Sequence, residues 1–571
     1  MSITSKTKIT ALLIFSFFLL PLAIKADTFG QKTNFFVDSS YDLSNREKIS
    51  AVLLGLSPKL YFYVDENWWN LQNIYQQADV KNSINFLAAE FENKIYPTLT
   101  STFGSEPKPG IDNDERLTIL IHQMKKEAGG YFNNGDEYSK LENPKSNERE
   151  MVYLNTNYLK FDIIKSYLAH EFTHLITFEQ KEKIQGVSED VWLNEARADY
   201  SPTLLGYDKE YQGSNLQQRV KQFITSPNDS LTEWQNQKAD YGVVNLFIQY
   251  LVDHYGIKIL TDSLYSKEAG IASINDALKK NGFSQDFSQI FTDWTIAVFL
   301  NDCNFGPRYC YKSENLKNLR ITPYIYFLPL AGESNLSTGY FIKEWSGNWQ
   351  KIVGGKGTLT LDLDGEDDAN FKVLYIVCDF QEKCELQSLN LDQEQKGKII
   401  LREFNSKYYS LIIIPSIQSK TSGFTNQGKS YLFSWKASTA EKTEEEKEAE
   451  LKKQLLAQIE VLQKQIEKLS RQIEELLAKQ LAEIPAGFEF KKNLSFGVSQ
   501  PDVIYLKKVL INQNCLLGRA NTQSFDSQTL EGVKCFCQKY KEDISNFAGS
   551  NVSCSGFVGK GTKAKLNQLL Q

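Results

Sequence analysis

Two histidines four residues apart, His170 and His174, constrain the fold of this chain more than any other feature. They belong to a His-Glu-Phe-Thr-His stretch, and apolar residues at helical spacing flank it without an intervening proline. Residues four apart on a helix lie on the same face, so both imidazoles can reach one metal ion. Glu171 then lies beside the open coordination position, where a general base for a metal-activated water must be placed. The motif therefore predicts a zinc-binding helix.

A motif this short also occurs by chance on ordinary surface helices. The chain contains only four histidines, however, and two of them lie in this stretch. His122 is predicted to end a strand, and His254 is predicted to face solvent on a later helix, so neither is assigned to the metal. This use of scarce histidines favours the metal site over the chance match.

The third metal ligand is expected to be a carboxylate. Catalytic zinc usually takes three protein ligands and keeps a fourth position for water or substrate. Thr177 and Gln180 stand where a metzincin has glycine and histidine, which excludes that subclass. Glu195 is the candidate ligand from a later helix. Asp199 lies one turn further on, where it could accept the spare N–H of a ligating histidine and aim the ring.

The His-Glu-x-x-His stretch with a downstream Asn-Glu-x-x-x-Asp resembles the glutamate-zincin metallopeptidases of the thermolysin-like superfamily. Segments 103–107, 112–116, 129–132 and 192–195 are similar to secreted bacterial metallopeptidases of the hyicolysin and immune-inhibitor-A type. The resemblance covers roughly residues 30–300. It implies a domain with a mixed sheet and a helical half, a bound Zn²⁺ ion, and protein or peptide substrates.

Enzymes of this class also need a donor for the oxyanion that develops when a carbonyl is attacked. Tyr241 begins an apolar helix whose position resembles the tyrosine-bearing segment of several glutamate zincins, so it is the candidate donor. Tyr200, beside Asp199, is the rival. The chain has 28 tyrosines, and an ordinary core or rim aromatic explains either residue equally well.

The N-terminus has the organisation of a secretory signal. Lys6 and Lys8 precede an apolar run over residues 9–24, and Ala26 ends the segment. The apolar run is short for a spanning helix, which needs about 20 residues. The sequence predicts a signal peptide over residues 1–26, with an uncleaved signal anchor as the alternative. The protein is expected to be secreted or held at the cell surface or cell wall.

Charge and cysteine content narrow the class of protein further. The net charge of −6, with acids and bases interspersed, leaves no basic surface and excludes nucleic acid as an expected partner. Eight cysteines in an exported chain predict disulfide bonds. Two close pairs would each close a small loop, and the last four cysteines leave three connectivities open. The pairs are Cys303 with Cys310 and Cys378 with Cys384, and the last four are Cys515, Cys535, Cys537 and Cys554.

The chain is predicted to be a multidomain α+β protein. Residues 27–305 are assigned to the zinc metallopeptidase domain, in which strand 151–154 is the candidate for binding the substrate backbone by strand addition. Residues 320–438 are assigned to a β-sandwich, because leucines 359, 361 and 363 alternate with polar residues.

Residues 443–483 are predicted to form a coiled coil, since apolar residues recur there at alternating spacings of four and three. Three alternatives remain open for this helix. It could form a homodimer, pack as a single helix on its own domain, or be an isolated spacer whose apolar seam is exposed to solvent. The seam residues are Leu455, Ile459, Leu462, Ile466, Leu469, Ile473 and Leu476.

The last segment, residues 490–571, is predicted to be a small helical domain. Its amphipathic stretches at 502–510, 529–536 and 556–567 resemble the peptidoglycan-binding-like domain of wall-associated bacterial hydrolases. The resemblance implies peptidoglycan as a partner. Cys537 departs from it, because that family usually has glutamine there, and this puts ligand binding in doubt more than the fold.

The favoured function is a secreted zinc endopeptidase that hydrolyses peptide bonds with Glu171 as general base and is targeted to the cell wall or surface. One alternative keeps the same chemistry but directs it at the cross-link peptides of peptidoglycan. The other is a non-catalytic surface adhesin built from the sandwich, the coil and the C-terminal segment.

Overall fold

The structure is a computed structural model that describes residues 26–330, 334–424, 427–440, 444–518 and 520–571. The predicted signal peptide lies outside the described residues, apart from its last residue. The chain divides into two compact units, Met1–Glu441 and Lys442–Gln571. Helices and two sheets are both present, so the prediction of a multidomain protein of mixed α and β structure is confirmed. Among the described helices, none is long and apolar enough to cross a membrane.

The first sheet of unit 1 has six strands. In chain order they are β1 (Lys32–Phe36), β2 (Lys48–Leu56), β3 (Leu60–Asp65), β4 (Leu117–His122), β5 (Gly130–Phe132) and β6 (Met151–Asn155). Their order across the sheet is β1-β2-β3-β4-β6-β5, with β3, β4 and β6 parallel and the other pairs antiparallel. The central strands are buried along their whole length, as expected for strands covered on both faces.

Strand β6 lies inside this sheet, paired to β4 on one side and to β5 on the other. The prediction that residues 151–154 offer a free edge to substrate is therefore wrong. The edge on this side of the sheet belongs to β5, a Gly-Tyr-Phe run. A run of three residues is too short to show the alternation of apolar and polar residues by which a strand is recognised. Its pairing with β6 defines it as a strand.

Ten helices cover the described part of unit 1. They are α1 (Glu66–Asn70), α2 (Ile74–Glu90), α3 (Tyr96–Phe103), α4 (Ile164–Thr177), α5 (Val191–Leu204), α6 (Asn215–Thr225), α7 (Lys238–Tyr255), α8 (Lys258–Leu264), α9 (Gly270–Lys280) and α10 (Phe287–Leu300). Helix α4 is almost entirely buried, because Leu168, Phe172 and Leu175 enter the core that it shares with the sheet and the other helices. Its remaining face is turned towards α5 and carries the histidines.

Nine further strands form the second sheet of unit 1. They are β7 (Tyr324–Leu328), β8 (Ser334–Lys343), β9 (Gln350–Gly354), β10 (Gly357–Gly365), β11 (Phe371–Asp379), β12 (Cys384–Leu389), β13 (Lys396–Phe404), β14 (Tyr408–Ile417) and β15 (Ser430–Ala440). The group β12-β11-β14-β9-β7 is linked to the group β13-β10-β15-β8 at the pair Phe404–Tyr408, and a bridge joins Glu344, directly after β8, to Ile417 of β14. Both groups contribute to one core, in which the alternating leucines of β10 are buried as predicted.

Two tryptophans join the second sheet to the helices. Trp345 packs edge-on against Phe287 and Phe291 of α10, and the Trp349 indole N–H donates to the Thr295 carbonyl at 2.8 Å. Both side chains belong to the core of the helical region rather than to the core between the strands. The two regions are therefore packed together through aromatic side chains.

The described residues of unit 2 form one long helix and four short ones. They are α11 (Glu444–Ala482), α12 (Asp502–Asn512), α13 (Ser527–Lys539), α14 (Lys541–Ala548) and α15 (Lys560–Gln568). The short helices surround one small core that includes Phe490, Leu506 and Phe536. Helix α14 was not predicted from the sequence, because its Lys-Glu-Asp-Ile-Ser-Asn-Phe-Ala stretch has too few apolar residues for a clear period.

All eight cysteines form disulfide bonds, which confirms the prediction from their number. The two predicted close pairs are present, and the last four cysteines adopt one of the three open connectivities. The bonds are Cys303–Cys310, Cys378–Cys384, Cys515–Cys535 and Cys537–Cys554. Cys537 is buried, so the residue that departs from the wall-binding resemblance serves as a crosslink in the core.

Two glutamates, Glu137 and Glu150, are buried close together in unit 1, with 6% and 4% of their surface exposed. Glu150 Oε1 accepts the backbone N–H of Ile111 at 2.6 Å. The other oxygen of Glu150 and Oε1 of Glu137 have no hydrogen-bond partner among the described residues. Burial, with the charge of Glu150, raises the pKa of Glu137 to about 10. Burial also raises the pKa of Glu150, so the pair holds a proton at neutral pH.

We expect this pair to make the folded chain less stable as the pH rises from 4.5, the ordinary value for Glu137, towards about 10. In that window the folded chain keeps a proton that the unfolded chain loses. The free energy of unfolding therefore falls by up to about 1.4 kcal/mol for each unit of pH. Glu137→Gln cannot titrate but can still donate to Glu150. It should equal the wild type near pH 4.5 and exceed its stability by about 1–4 kcal/mol at pH 8. Urea unfolding at several pH values measures this, and parallel stability curves would contradict it.

Candidate metal centre

Helix α4 places both histidines of the motif on one buried face. The rings of His170 and His174 stand edge to face with their centroids 4.7 Å apart. Their Nε2 atoms point at each other across 3.1 Å. Two ring nitrogens at this separation cannot both carry a hydrogen, and such an arrangement is typical of a pair of ligands prepared for a cation.

Glu195 of α5 completes the group. Its Oε2 atom lies 3.3 Å from His170 Nε2 and 3.6 Å from His174 Nε2, and it is buried with no hydrogen-bond donor among the described residues. A tetrahedral zinc with ligand distances of about 2.0–2.2 Å separates its ligand atoms by about 3.3–3.5 Å. The three candidate ligand atoms lie 3.1–3.6 Å from one another, close to that spacing, so they could hold one metal ion. In the part of the chain that the structure describes, no other set of three or more His, Cys, Asp or Glu residues could hold a metal.

The far side of each ring faces an oxygen. His170 Nδ1 lies 3.6 Å from Asp199 Oδ1, so the structure brings Asp199 beside the histidine, as expected. His174 Nδ1 lies 3.1 Å from Asn194 Oδ1, a contact that sequence reasoning missed. With Nε2 free to bind a metal, the Nδ1–H of His174 donates to Asn194 and that of His170 faces Asp199, and these contacts orient the two rings. Asn194 could have been suspected, because it directly precedes the predicted ligand Glu195 on the same helix.

Asp199 is itself held by a network that sequence reasoning did not find. Arg219 of α6 donates to it from Nε at 2.8 Å and from Nη2 at 2.9 Å. The side-chain amides of Asn215 and Asn245 donate to it as well, each at 3.2 Å. Although burial opposes ionisation, the charge of Arg219 and then the His170 ring hold the pKa of Asp199 below its usual value. No sequence pattern marks these residues, because the contacts join three helices: Asp199 lies on α5, Asn215 and Arg219 on α6, and Asn245 on α7.

Glu171 is buried beside the ligands but is not one of them. It lines a cavity of about 230 Å³ together with both histidines and Glu195. It also lines an adjoining cavity of about 450 Å³ that extends towards α6. Burial raises the pKa of Glu171, while the neighbouring His170 ring opposes the rise. The carboxylate thus stands where it can reach a water or a carbonyl that enters from either cavity.

Gly130 of β5 allows the edge strand to approach this carboxylate closely. A Cβ atom at this position would lie 2.5 Å from the Tyr153 carbonyl oxygen and 3.1 Å from Glu171 Cγ. A larger residue would therefore push β5 away from β6 or displace Glu171. The glycine brings the free strand edge and the candidate base together.

The structure separates the two tyrosine candidates. Tyr241 lines both cavities, and its hydroxyl lies 3.1 Å from Asn236 Oδ1. The guanidinium of Arg219 lies 4.5 Å from the centre of its ring. Burial, with the charge of Glu195 added, raises the pKa of Tyr241 well above its usual value, so the hydroxyl keeps its proton. Tyr200 lines neither cavity and packs instead against the core of unit 1.

Tyr41 is a second phenol at the site, and the sequence offered no signal for it. It lines both cavities and stacks on Tyr131, with ring centroids 4.7 Å apart. It comes from the loop between β1 and β2, more than a hundred residues before His170. Only the fold brings it to the cleft.

The two remaining histidines lie elsewhere. His122 ends β4, as predicted, and its buried ring lies 3.3 Å from Asp42 Oδ2. The prediction that His254 faces solvent is wrong, because its ring is half-buried and its Nε2 lies 2.8 Å from the Cys310 carbonyl oxygen. The loop closed by Cys303–Cys310 covers that side of α7, and sequence periodicity cannot show such a cover.

No known protein-family profile matches this chain. No curated protein matches it either. Among solved structures, the pre-peptidase C-terminal domain of a collagenase from Bacillus anthracis is 4% identical, covering 20% of this chain and 96% of that domain at a TM-score of 0.15. A periplasmic inhibitor of g-type lysozyme from Aeromonas hydrophila is 13% identical, covering 20% of this chain and 98% of its own at a TM-score of 0.13. Similarity this low supports no conclusion about function, so the site must be judged on its own geometry.

Proposed function

We propose that this protein is an exported zinc-dependent endopeptidase of the glutamate-zincin type. The observation that carries the proposal is the convergence of three buried ligand atoms, from His170, His174 and Glu195, at zinc spacing beside an open cavity. Glu171 lies next to them without being a ligand, which is the position a general base requires. These features agree with the resemblance found in the sequence.

The residues of the cleft supply the remaining steps. A zinc ion held here would lower the pKa of a bound water towards about 7 and polarise a substrate carbonyl. Glu171 would accept a proton from the attacking water at its carboxylate and later deliver it to the leaving amine. Asp199 and Asn194 keep the two imidazole rings in the orientation that turns Nε2 inwards. The Tyr241 hydroxyl, still protonated, would donate to the oxyanion.

Strand β5 offers a way to hold an extended substrate. It is the edge of the first sheet, and one of its sides is not paired with any described strand. A peptide adding to this edge would lie along the cleft, close to Glu171. Main-chain hydrogen bonds of this kind bind peptides of many sequences, which fits an endopeptidase.

We expect Tyr241→Phe to lower kcat by about 10²–10³-fold, because one oxyanion donor is lost. The KM for a peptide and the zinc content should change little, since Tyr241 is not a ligand. Tyr200→Phe is the matched control and should leave kcat unchanged, because Tyr200 lines neither cavity. Steady-state kinetics on a fluorogenic peptide measures both variants. A loss in Tyr200→Phe with none in Tyr241→Phe would assign the role to the rival.

One experiment separates the proposed endopeptidase from its alternatives. Purified protein is assayed for zinc and incubated with casein and with purified sacculi, each with and without a chelator. The proposal predicts about one zinc per chain and chelator-sensitive cleavage of casein. Release of muropeptides alone would favour the peptidoglycan hydrolase, for which the helical segment 490–571 is the motivating feature. Absence of both zinc and cleavage would favour the adhesin.

A further inference from the structure

Helix α11 carries an apolar seam that remains open to solvent. Its seven seam residues are each between 48% and 64% exposed, a degree expected for side chains on a bare helix. Among the side chains of α11 that the structure describes, cover is found at the C-terminal end, where Leu481 packs against the small core of unit 2. The alternative in which the helix packs along its own domain is therefore not seen among the described residues of unit 2. The seam residues are Leu455, Ile459, Leu462, Ile466, Leu469, Ile473 and Leu476.

The choice of apolar residue follows the heptad position. With the spacing of three and four, isoleucine occupies every a position of the seam, at 459, 466 and 473. Leucine occupies every d position, at 455, 462, 469 and 476. A β-branched residue at a with leucine at d favours two parallel helices over three or four. A helix that merely spaced two domains would need no such separation of isoleucine from leucine.

The flanks of the seam are compatible with a second identical helix. The g positions hold Gln458, Gln465 and Gln472, and the facing e positions include Gln463 and Ser470. No like charges would meet across these pairs in a parallel homodimer. The charged residues lie on the outer face, where Glu460 pairs with Lys464 at 2.9 Å within the same helix. The seam of α11 can therefore face an identical seam, because its apolar residues repeat at the same spacing and the flanking residues named above are uncharged.

The seam is also large enough for a stable dimer. Burying one leucine or isoleucine fully removes about 60–120 Å² of apolar surface from water. Seven such residues amount to roughly 400–800 Å² per helix, close to the ~800 Å² that each partner buries in a standard protein interface. An apolar surface of this size is rarely left exposed to solvent on a monomeric protein.

We propose that α11 pairs with α11 of a second copy of this chain as a parallel two-stranded coiled coil, which makes the protein a homodimer. The pairing follows from α11 alone and does not depend on the metal centre.

The test compares two lysine substitutions on the same helix in the full exported chain, with molar mass measured by light scattering over a concentration series. Ile466→Lys, at a central a position, should halve the molar mass relative to the wild type. Val461→Lys is the matched control, because Val461 is 56% exposed on the outer face, and it should remain dimeric. Circular dichroism verifies that both variants stay folded. A monomeric wild type, or equal masses for the two variants, would overturn the proposal.

A second variant tests the direction of the helices. All eight cysteines are already in disulfides, so one added thiol reports on its own position. Leu476→Cys, near one end of the seam, should form a disulfide-linked dimer on mild oxidation only if the two helices run parallel. A dimer by light scattering that does not crosslink at this position would refute the parallel arrangement.

Discussion

Replacing Glu171 with glutamine should lower kcat by about 10²–10⁴-fold while zinc content stays at about one per chain. Glutamine has the same shape as glutamate but cannot accept a proton from water. Because the three proposed ligand atoms belong to His170, His174 and Glu195, the substitution should leave the proposed metal site intact. Peptide cleavage and elemental analysis on the same preparation measure the two quantities independently.

Glu182→Gln is the matched control for this result. Glu182 lines the same cavity of about 230 Å³, but it is not part of the group that could hold the metal. It should retain nearly full activity, so a general change in the charge of the cleft cannot explain a loss in Glu171→Gln. Normal turnover by Glu171→Gln would falsify the role of general base.

Replacing Glu195 with alanine should weaken zinc binding by more than about 100-fold and abolish cleavage. Changes to groups that only orient metal ligands already cost about 10–100-fold in metal affinity, so loss of a ligand should cost more. The substitution also removes the carboxylate oxygen that lies within 3.6 Å of both imidazole Nε2 atoms. Zinc retained after dialysis against a graded chelator series measures the affinity.

The apoprotein should also unfold at a lower temperature than the zinc-loaded wild type, because a ligand that binds only the folded state stabilises it. Glu195→Ala should show no such difference on adding zinc. Glu182→Ala, which removes a carboxylate from the same cavity, should behave like the wild type. If Glu195→Ala bound zinc as tightly as Glu182→Ala does, the third ligand would have to be sought elsewhere.

The elements predicted correctly from the sequence are those whose pattern lies within one short stretch of the chain. Helix α4 follows from apolar spacing around the histidines, β10 from alternating leucines, and α11 from its heptads. The two close disulfides also follow from short separations along the chain. Each of these signals is complete within about ten to forty residues, so no knowledge of the fold is needed to use it.

The failures share one physical cause, which is dependence on distant parts of the chain. Strand β5 exists only because β6 pairs with it, and His254 is covered only because the loop before Cys310 folds over it. The pairing of Cys515 with Cys535, one of the three connectivities that the sequence left open, depends on how α13 packs. Local periodicity carries no information about such long-range contacts.

The candidate site also depends partly on local sequence and partly on contacts between distant parts of the chain. The sequence by itself determined which residue types could bind a metal, and the helical spacing of four put His170 and His174 on one face. Only the tertiary structure decided that Glu195 lies within 3.6 Å of both rings, that Tyr241 rather than Tyr200 lines the cleft, and that Arg219 holds Asp199. These relations join separate helices, and packing of the apolar core, not the local order of residues, sets the distance between them.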